Sequence, residues 1–165
     1  VIPTYNNRED TGGSIEEVCR YADDIIVVND GSTDDTANIL EQYPAIRTIT
    51  HPVNKGKGTA LKHGLSQAKK EGFRYAITID SDGQHFASDI PCFIEAIEKE
   101  PDTLLVGARN LASDNMPGKN TFANKFSNFW FRLETGLKLE DTQSGYRLYP
   151  LRKMGCAKLL VHRQI

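Results

Sequence analysis

The sequence predicts an α/β fold, a doubly wound, mostly parallel sheet flanked by helices. Three observations predict it. Apolar β-rich runs alternate with amphipathic segments at about 25-residue spacing, the pattern of repeated strand–helix units. Asp24-Ile25-Ile26-Val27-Val28 is continuous and β-branched, as expected of a strand covered on both faces. The runs ending at Val28 and Ile79 are followed by polar loops rich in Asp and Gly, which in open α/β sheets lie on the ligand-bearing rim.

Taken in order, Val1-Ile2 reads as the end of a first strand, followed by the polar turn Pro3 to Asn7. Ser14-x-x-Glu17 has the form of a capping box, with Ile15, Val18, Cys19 and Ala22 on one apolar face behind it. After the second strand, a helix is expected from about Asp34 to Tyr43, capped by Ser32 or Thr33, with Ala37, Ile39 and Leu40 apolar. Pro44 stops it, and Ile46 to Thr50 forms the third strand. The next helix turns Ala60, Leu61, Leu65 and Ala68 inward. Tyr75 to Ile79 is the fourth strand. Ser88-Asp89 caps a helix bearing Ile90, Phe93, Ile94 and Ile97, and Thr103 to Val106 is the fifth strand. The alternation then breaks into a polar loop (108–120), an aromatic-rich helix (121–136), a loop with a short strand (142–149) and a last helix (151–161).

The 165 residues are enough for one domain with a sizeable core, and 39% hydrophobic with 25% charged residues is the composition of a folded globular chain. A formal net charge of −2 excludes general attraction for nucleic acid or anionic lipid, so an anionic ligand must be held by local groups. The three cysteines are far apart and never paired as C-x-x-C, which argues for a reducing compartment and against a disulfide framework or zinc cluster. No run of about eighteen apolar residues is present. Both ends read as cut, so residues 1–165 are expected to form a single catalytic domain shortened at both ends.

Asp80-Ser81-Asp82-Gly83-Gln84-His85 follows the fourth strand. Residues i and i+2 of an extended chain point to one side, so Asp80 and Asp82 can converge beyond the strand's carboxyl end. Two hard oxygen ligands with a neutral Gln84 suit Mg²⁺ or Mn²⁺ carrying a substrate's phosphates. The plainer alternative is a polar loop with an Asp82-Gly83 turn. Of the four histidines, only His85 adjoins these carboxylates in sequence.

Asn29-Asp30-Gly31-Ser32-Thr33-Asp34 lies on the same rim. Ser32, Thr33 and Asp34 read as a turn and helix cap, whereas Asp30 at the strand tip can accept a hydrogen bond from a base N–H. Asp30, Ser32, Asp34, Asn38 and Glu41 mimic an EF-hand spacing, but Asp35 stands where that loop needs Gly, and a strand precedes it. Lys55-Gly56-Lys57-Gly58 ahead of a helix suits either an anion or a solvated turn. It is not a Walker A loop, because His51 and Gly58 occupy positions that need Gly and Ser or Thr. Leu61 likewise breaks the dinucleotide fingerprint. Phe122, Phe126, Phe129, Trp130 and Leu133 form a helical stripe, either core or, with Phe131, a lipid contact. In Glu140-Asp141-Thr142-Gln143-Ser144-Gly145-Tyr146-Arg147, a carboxylate can act as general base and Arg147 can bind a phosphate bidentately.

Together these stretches resemble the family-2 glycosyltransferases. Pro3-Thr4-Tyr5-Asn6 with Glu9, Val28 to Asp34, Asn54 to Gly58 and Asp80 to His85 occur in that family's order and spacing, over essentially the whole chain. Asp141 to Arg147 is similar to the polyprenyl-phosphate branch, the dolichyl-phosphate mannose or glucose synthases. The resemblance implies a GT-A fold and inverting transfer from a nucleotide-sugar donor, a UDP- or GDP-sugar, with Mg²⁺ or Mn²⁺. It implies that Pro3, Tyr5, Glu9 and Asp30 line the nucleoside pocket, with Asp30 on the base and Glu9 on the ribose. Lys57 lies near the nucleotide, Asp80, Asp82 and Gln84 hold the diphosphate through the metal, and Arg109 binds phosphate. Asp141 stands at the position of the base for a sugar hydroxyl, with Gln143 on the substrate and Arg147 beside the reaction.

The expected acceptor is a polyprenyl phosphate, which places the protein in the cytoplasm with peripheral contact at the membrane face. A saccharide hydroxyl in cell-envelope synthesis is the alternative acceptor, and nucleic acid is not a partner. Two remoter readings are a haloacid-dehalogenase-type phosphatase, whose D-x-D usually follows the first strand, and a fragment that binds nucleotide without turnover.

Overall fold

The computed structural model describes residues 1–82, 86–107, 144–154 and 161–164. Strands β1 (Ile2–Thr4), β2 (Ile26–Asn29) and β3 (Arg47–Thr50) pair in parallel in the order β1-β2-β3. Pro3 lies opposite Val28, and Val28 opposite Ile49. Helices α1 (Thr11–Val18) and α2 (Thr36–Glu41) connect them, and α3 (Lys57–Lys70) leads to β4 (Tyr75–Thr78). A short 3₁₀ turn, Ala87–Asp89, opens α4 (Ile90–Lys99), which returns to β5 (Leu104–Val106). Strands β6 (Arg147–Pro150) and β7 (Val161–Gln164) complete a second run ordered β4-β6-β5-β7.

The two runs meet along β1 and β4. The Val1 nitrogen donates to Ile77 O at 2.6 Å, and Ile79 N–H donates to Val1 O at 3.2 Å. The strand order is therefore β3-β2-β1-β4-β6-β5-β7. All strands run the same way except β6, which pairs antiparallel with both β4 and β5. The chain winds outward from β1 to β3 and then crosses back to β4. The gap between the carboxyl ends of β1 and β4 is thus the topological switch point, where such sheets open a crevice for ligands.

Burial follows from the sheet being covered on both sides. Along β2, side chains alternate between faces. Val27 joins Ile15, Val18, Leu40, Phe93 and Ile97 beneath α1, α2 and α4, while Ile26 and Val28 join Ala60, Leu65 and Ala68 of α3. The uninterrupted β-branched run at Ile25–Val28 is the sequence consequence of those two cores.

Several sequence expectations are corrected. Helix α1 begins at Thr11, and Ser14 lies inside it without capping anything. Glu17 does not fold back on Ser14; its Oε1 accepts the Ala87 N–H at 3.0 Å and ties α1 to the turn before α4. Cys19 is exposed, as is Ala37, and in α2 it is Thr36 that is buried. Thr36 Oγ1 accepts the Asn7 N–H at 3.1 Å, which turns that face inward. Asp34, not Ser32 or Thr33, supplies the bond at the start of α2, accepting Thr36 N–H at 3.0 Å. Asp89 is the cap residue of α4 but makes no side-chain capping bond, and Ile94 is 47% exposed. The helix expected over 151–161 is replaced at its ends by a turn at 151–154 and by β7 from Val161, because Leu104 of β5 recruits Val161 as a parallel neighbour. The aromatic-rich helix expected over 121–136 and the loop before it lie outside the described residues. Among the described residues, no helix is long and apolar enough to cross a membrane.

Candidate functional site

A cleft of about 420 Å³ opens at the switch point. Its walls come from Pro3–Asn7 after β1, Asp30 at the tip of β2, Asn54 and Lys57 at the start of α3, and Asp80–Asp82 after β4. Four loops distant in sequence meet here because parallel strands place all their carboxyl ends on one rim.

The loops are bonded to one another. Asn6 Oδ1 accepts Thr33 N–H at 2.8 Å, and Asn6 N–H donates to Ser32 Oγ at 3.0 Å. Asn7 Nδ2 donates to Ser81 O at 2.6 Å, joining the first loop to the fourth. The turn after β2 is tight: Ser32 N–H donates to Asn29 Oδ1 at 2.9 Å, and Gly31 has φ +72°. A Cβ on Gly31 would stand 2.6 Å from the Asn54 nitrogen. Gly31→Ala is therefore expected to destabilise the fold by more than about 1 kcal/mol, since it adds left-handed strain to a backbone clash; chemical denaturation measures this.

Asp30 is 2% exposed. Its Oδ1 accepts from His51 Nδ1 at 2.6 Å and from Lys55 N–H at 3.0 Å, and His51 Nε2 lies 2.8 Å from His63 Nδ1. Burial pushes this carboxyl up, but the hydrogen bonds from His51 and from the Lys55 and Gly56 backbone together outweigh it. The result is a carboxyl held below its ordinary range and ionised at neutral pH. An ionised carboxylate only accepts, so the proton between Asp30 and His51 sits on Nδ1.

Asp80 and Asp82 both line the cleft. Asp82 is exposed, whereas the Asp80 side chain is 12% exposed. Asp80 Oδ2 accepts from Lys57 Nζ at 2.7 Å. Asp80 Oδ1 is fully buried with no hydrogen-bond partner among the described residues. A buried carboxylate oxygen left without a donor is costly unless a cation completes it. Asp80 and Asp82 thus fit a hard divalent ion. Among the described residues, no third His, Cys, Asp or Glu joins them. Other oxygen donors would come from a bound phosphate or water.

Of the predicted site residues, Pro3, Tyr5, Asp30, Lys57, Asp80 and Asp82 share this cleft. Glu9 is exposed in the turn before α1, and its neighbour Asp10 is the acid on the cleft wall. Arg147 lies on an adjoining cleft of about 280 Å³ that shares Lys57 with the first; its Nε donates to Ser144 O at 2.8 Å. Gln84, Arg109, Asp141 and Gln143 lie outside the described residues, as does His85. Among the described residues, His51 is the histidine bonded to a site carboxylate, with His63 behind it. His51 was legible only as a polar residue at the carboxyl end of the third strand, the rim position that also marks Asp30. Asn7 and Gly145 carried no signal of their own.

The fold and site define an α/β domain with a carboxylate-lined cleft at its switch point. The Glycosyl transferase family 2 profile matches residues 1–152, and the chain belongs to that family. It is similar to a dolichyl-phosphate beta-glucosyltransferase of Trichomonas vaginalis, at 26% identity over 100% of this chain and 56% of that one. It is also similar to polyprenol monophosphomannose synthase of Mycolicibacterium smegmatis, at 28% identity over 90% of this chain and 60% of that one. Both relatives fall by name in the polyprenyl-phosphate branch that the sequence resembles. The chain spans a little over half the length of these curated relatives. Among solved structures, TarS 1-349 of S. aureus in complex with UDP superposes with a TM-score of 0.64 at 18% identity, over 92% of this chain and 46% of that one. At that identity the likeness shows the GT-A fold.

Proposed function

We propose that this chain is the donor-binding catalytic domain of a metal-dependent, inverting glycosyltransferase that moves a sugar from a nucleotide sugar to a polyprenyl phosphate. The observation that carries the reading is the unsatisfied, buried Asp80 oxygen in the switch-point cleft, with Asp82 two residues on and Lys57 beside it. The names of the polyprenyl-phosphate relatives support the acceptor.

Asp30, ionised and held by His51, accepts a base N–H of the donor, while Pro3 and Tyr5 flank the nucleoside. Asp80 and Asp82 would hold Mg²⁺ or Mn²⁺, which when bound would supply charge neutralisation for the departing nucleoside diphosphate. The acceptor approaches through the smaller cleft, where Lys57 and Arg147 offer positive charge to its phosphate. A phosphate monoester has a second pKa of about 6 and is already an anionic nucleophile at neutral pH. Asp141 then orients the acceptor and need not remove a proton. This chemistry places the protein against the cytoplasmic face of a membrane that holds the lipid.

The full-length protein is tested by incubating UDP- and GDP-sugars with a polyprenyl phosphate or a saccharide and Mn²⁺. Expected are sugar transfer to the lipid phosphate, an inverted anomeric configuration by NMR, loss of activity with chelator and recovery with Mn²⁺ or Mg²⁺. Transfer to the saccharide alone would overturn the acceptor, and unchanged activity in chelator would overturn the metal.

A further inference from the structure

We propose that Gly145 is a positioning residue for Asp80, and that the bare Cα at this point sets the carboxylate in its metal-binding orientation. The proposal rests on the reading of Asp80 as a ligand of the cation and diphosphate. Strand β6 enters the sheet directly beside Asp80. A Cβ built on Gly145 would stand 2.5 Å from both Cγ and Oδ1 of Asp80, and closer still to Oδ2. No side chain other than hydrogen fits there while the carboxylate keeps its place.

What matters is which partner gives way. The segment around Gly145 is fixed from several sides. Gly145 O accepts from Thr78 Oγ1 at 2.7 Å, and Gly107 N–H donates to Tyr146 O at 2.8 Å. Ser144 is fully buried and Tyr146 is 3% exposed, its ring packed 4.6 Å from that of Phe93 and its hydroxyl donating to Phe86 O at 3.1 Å. Asp80, by contrast, has two free side-chain torsions and, among the described residues, an exposed lysine as its partner on Oδ2. The backbone of Gly145 also lies outside the left-handed region, so alanine brings no conformational strain of its own. An added methyl therefore rotates the Asp80 carboxylate away and leaves β6 in place.

The test compares Gly145→Ala, Asp80→Ala and the double variant in the full chain, with Gly13→Ala as a control whose Cβ meets open space. Mn²⁺ affinity in the presence of UDP or GDP is read from free Mn²⁺ by electron paramagnetic resonance. Metal-free binding of the nucleoside monophosphate is read by thermal shift. Gly145→Ala is expected to weaken Mn²⁺ by about 10–100-fold and to leave metal-free nucleotide binding unchanged, a split that general unfolding would not give. In the Asp80→Ala background it is expected to add nothing, as for two residues acting through one contact. Wild-type Mn²⁺ affinity in Gly145→Ala, with loss in Asp80→Ala, would overturn the proposal alone. Wild-type affinity in Asp80→Ala would overturn the metal site and this inference with it. Should Gly145→Ala fail to fold, the double variant must recover native melting; a double variant that stays unfolded refutes the role.

Discussion

Asp80→Asn is expected to lower sugar transfer by about 10²–10³-fold, the usual effect of removing one preorganised stabiliser of developing charge, while raising the melting temperature of the ligand-free protein. The two signs come from the same atom. Among the described residues, Asp80 Oδ1 is buried without a hydrogen-bond donor, and the ammonium that reaches the carboxylate, from Lys57, is on a largely exposed side chain. In the ligand-free state that arrangement carries a desolvation cost with incomplete compensation. The amide keeps the shape, removes the charge and is expected to gain about 1 kcal/mol. Transfer assays and thermal melts of the same preparation measure both effects. A variant with full Mn²⁺-dependent transfer, or one that melts lower with no change in activity, would show that Asp80 is a structural carboxylate.

The second large effect is expected at His51. Replacing it with alanine removes the 2.6 Å donor from a carboxylate that is 2% exposed, which should cost about 2–3 kcal/mol. Nucleoside affinity is expected to fall with it, because Asp30 loses the bond that fixes its orientation. The pH dependence follows from the lowered Asp30 pKa. The unfolded chain binds the proton more tightly than the folded one, so this stability is fully present above the ordinary carboxylate value of about 4 and is lost as pH falls through the folded value. The part of the difference between wild type and His51→Ala that comes from Asp30 should therefore shrink as pH falls below about 4. Urea titrations across that range are the measurement; a difference that does not shrink below pH 4 would overturn the role of the Asp30 charge.

How much of this was legible in the sequence depends on the range of the interactions. The strand Ile26–Asn29 and the acidic tips at Asp30 and Asp80 were legible because a doubly covered strand and a polar rim are local patterns. The start of α1 was not. Its first residue, Thr11, is held by Asn7 O at 2.6 Å and Thr4 Oγ1 at 2.8 Å, a tertiary arrangement that outweighs the capping-box spacing at Ser14. Val161 falls within the helix expected over 151–161 because short apolar runs carry no period that separates helix from buried strand. Only pairing with β5 decides it. In the site, Asp80 and Lys57 carried motifs, whereas His51 and Gly145 act through contacts with residues far along the chain.

The insertion of β6 between β4 and β5 has a consequence for synthesis of the chain. Thr78 and Gly145 are separated by 67 residues, so as the protein leaves the ribosome β4 and β5 emerge well before the strand that joins them. During that interval each presents an unpaired edge of apolar backbone, a template for pairing with a neighbouring chain. Any expression boundary placed ahead of Arg147 makes that temporary state permanent. Soluble yield across a series of C-terminal truncations should therefore drop sharply where β6 is lost, at the same point where Asp80 loses its neighbour.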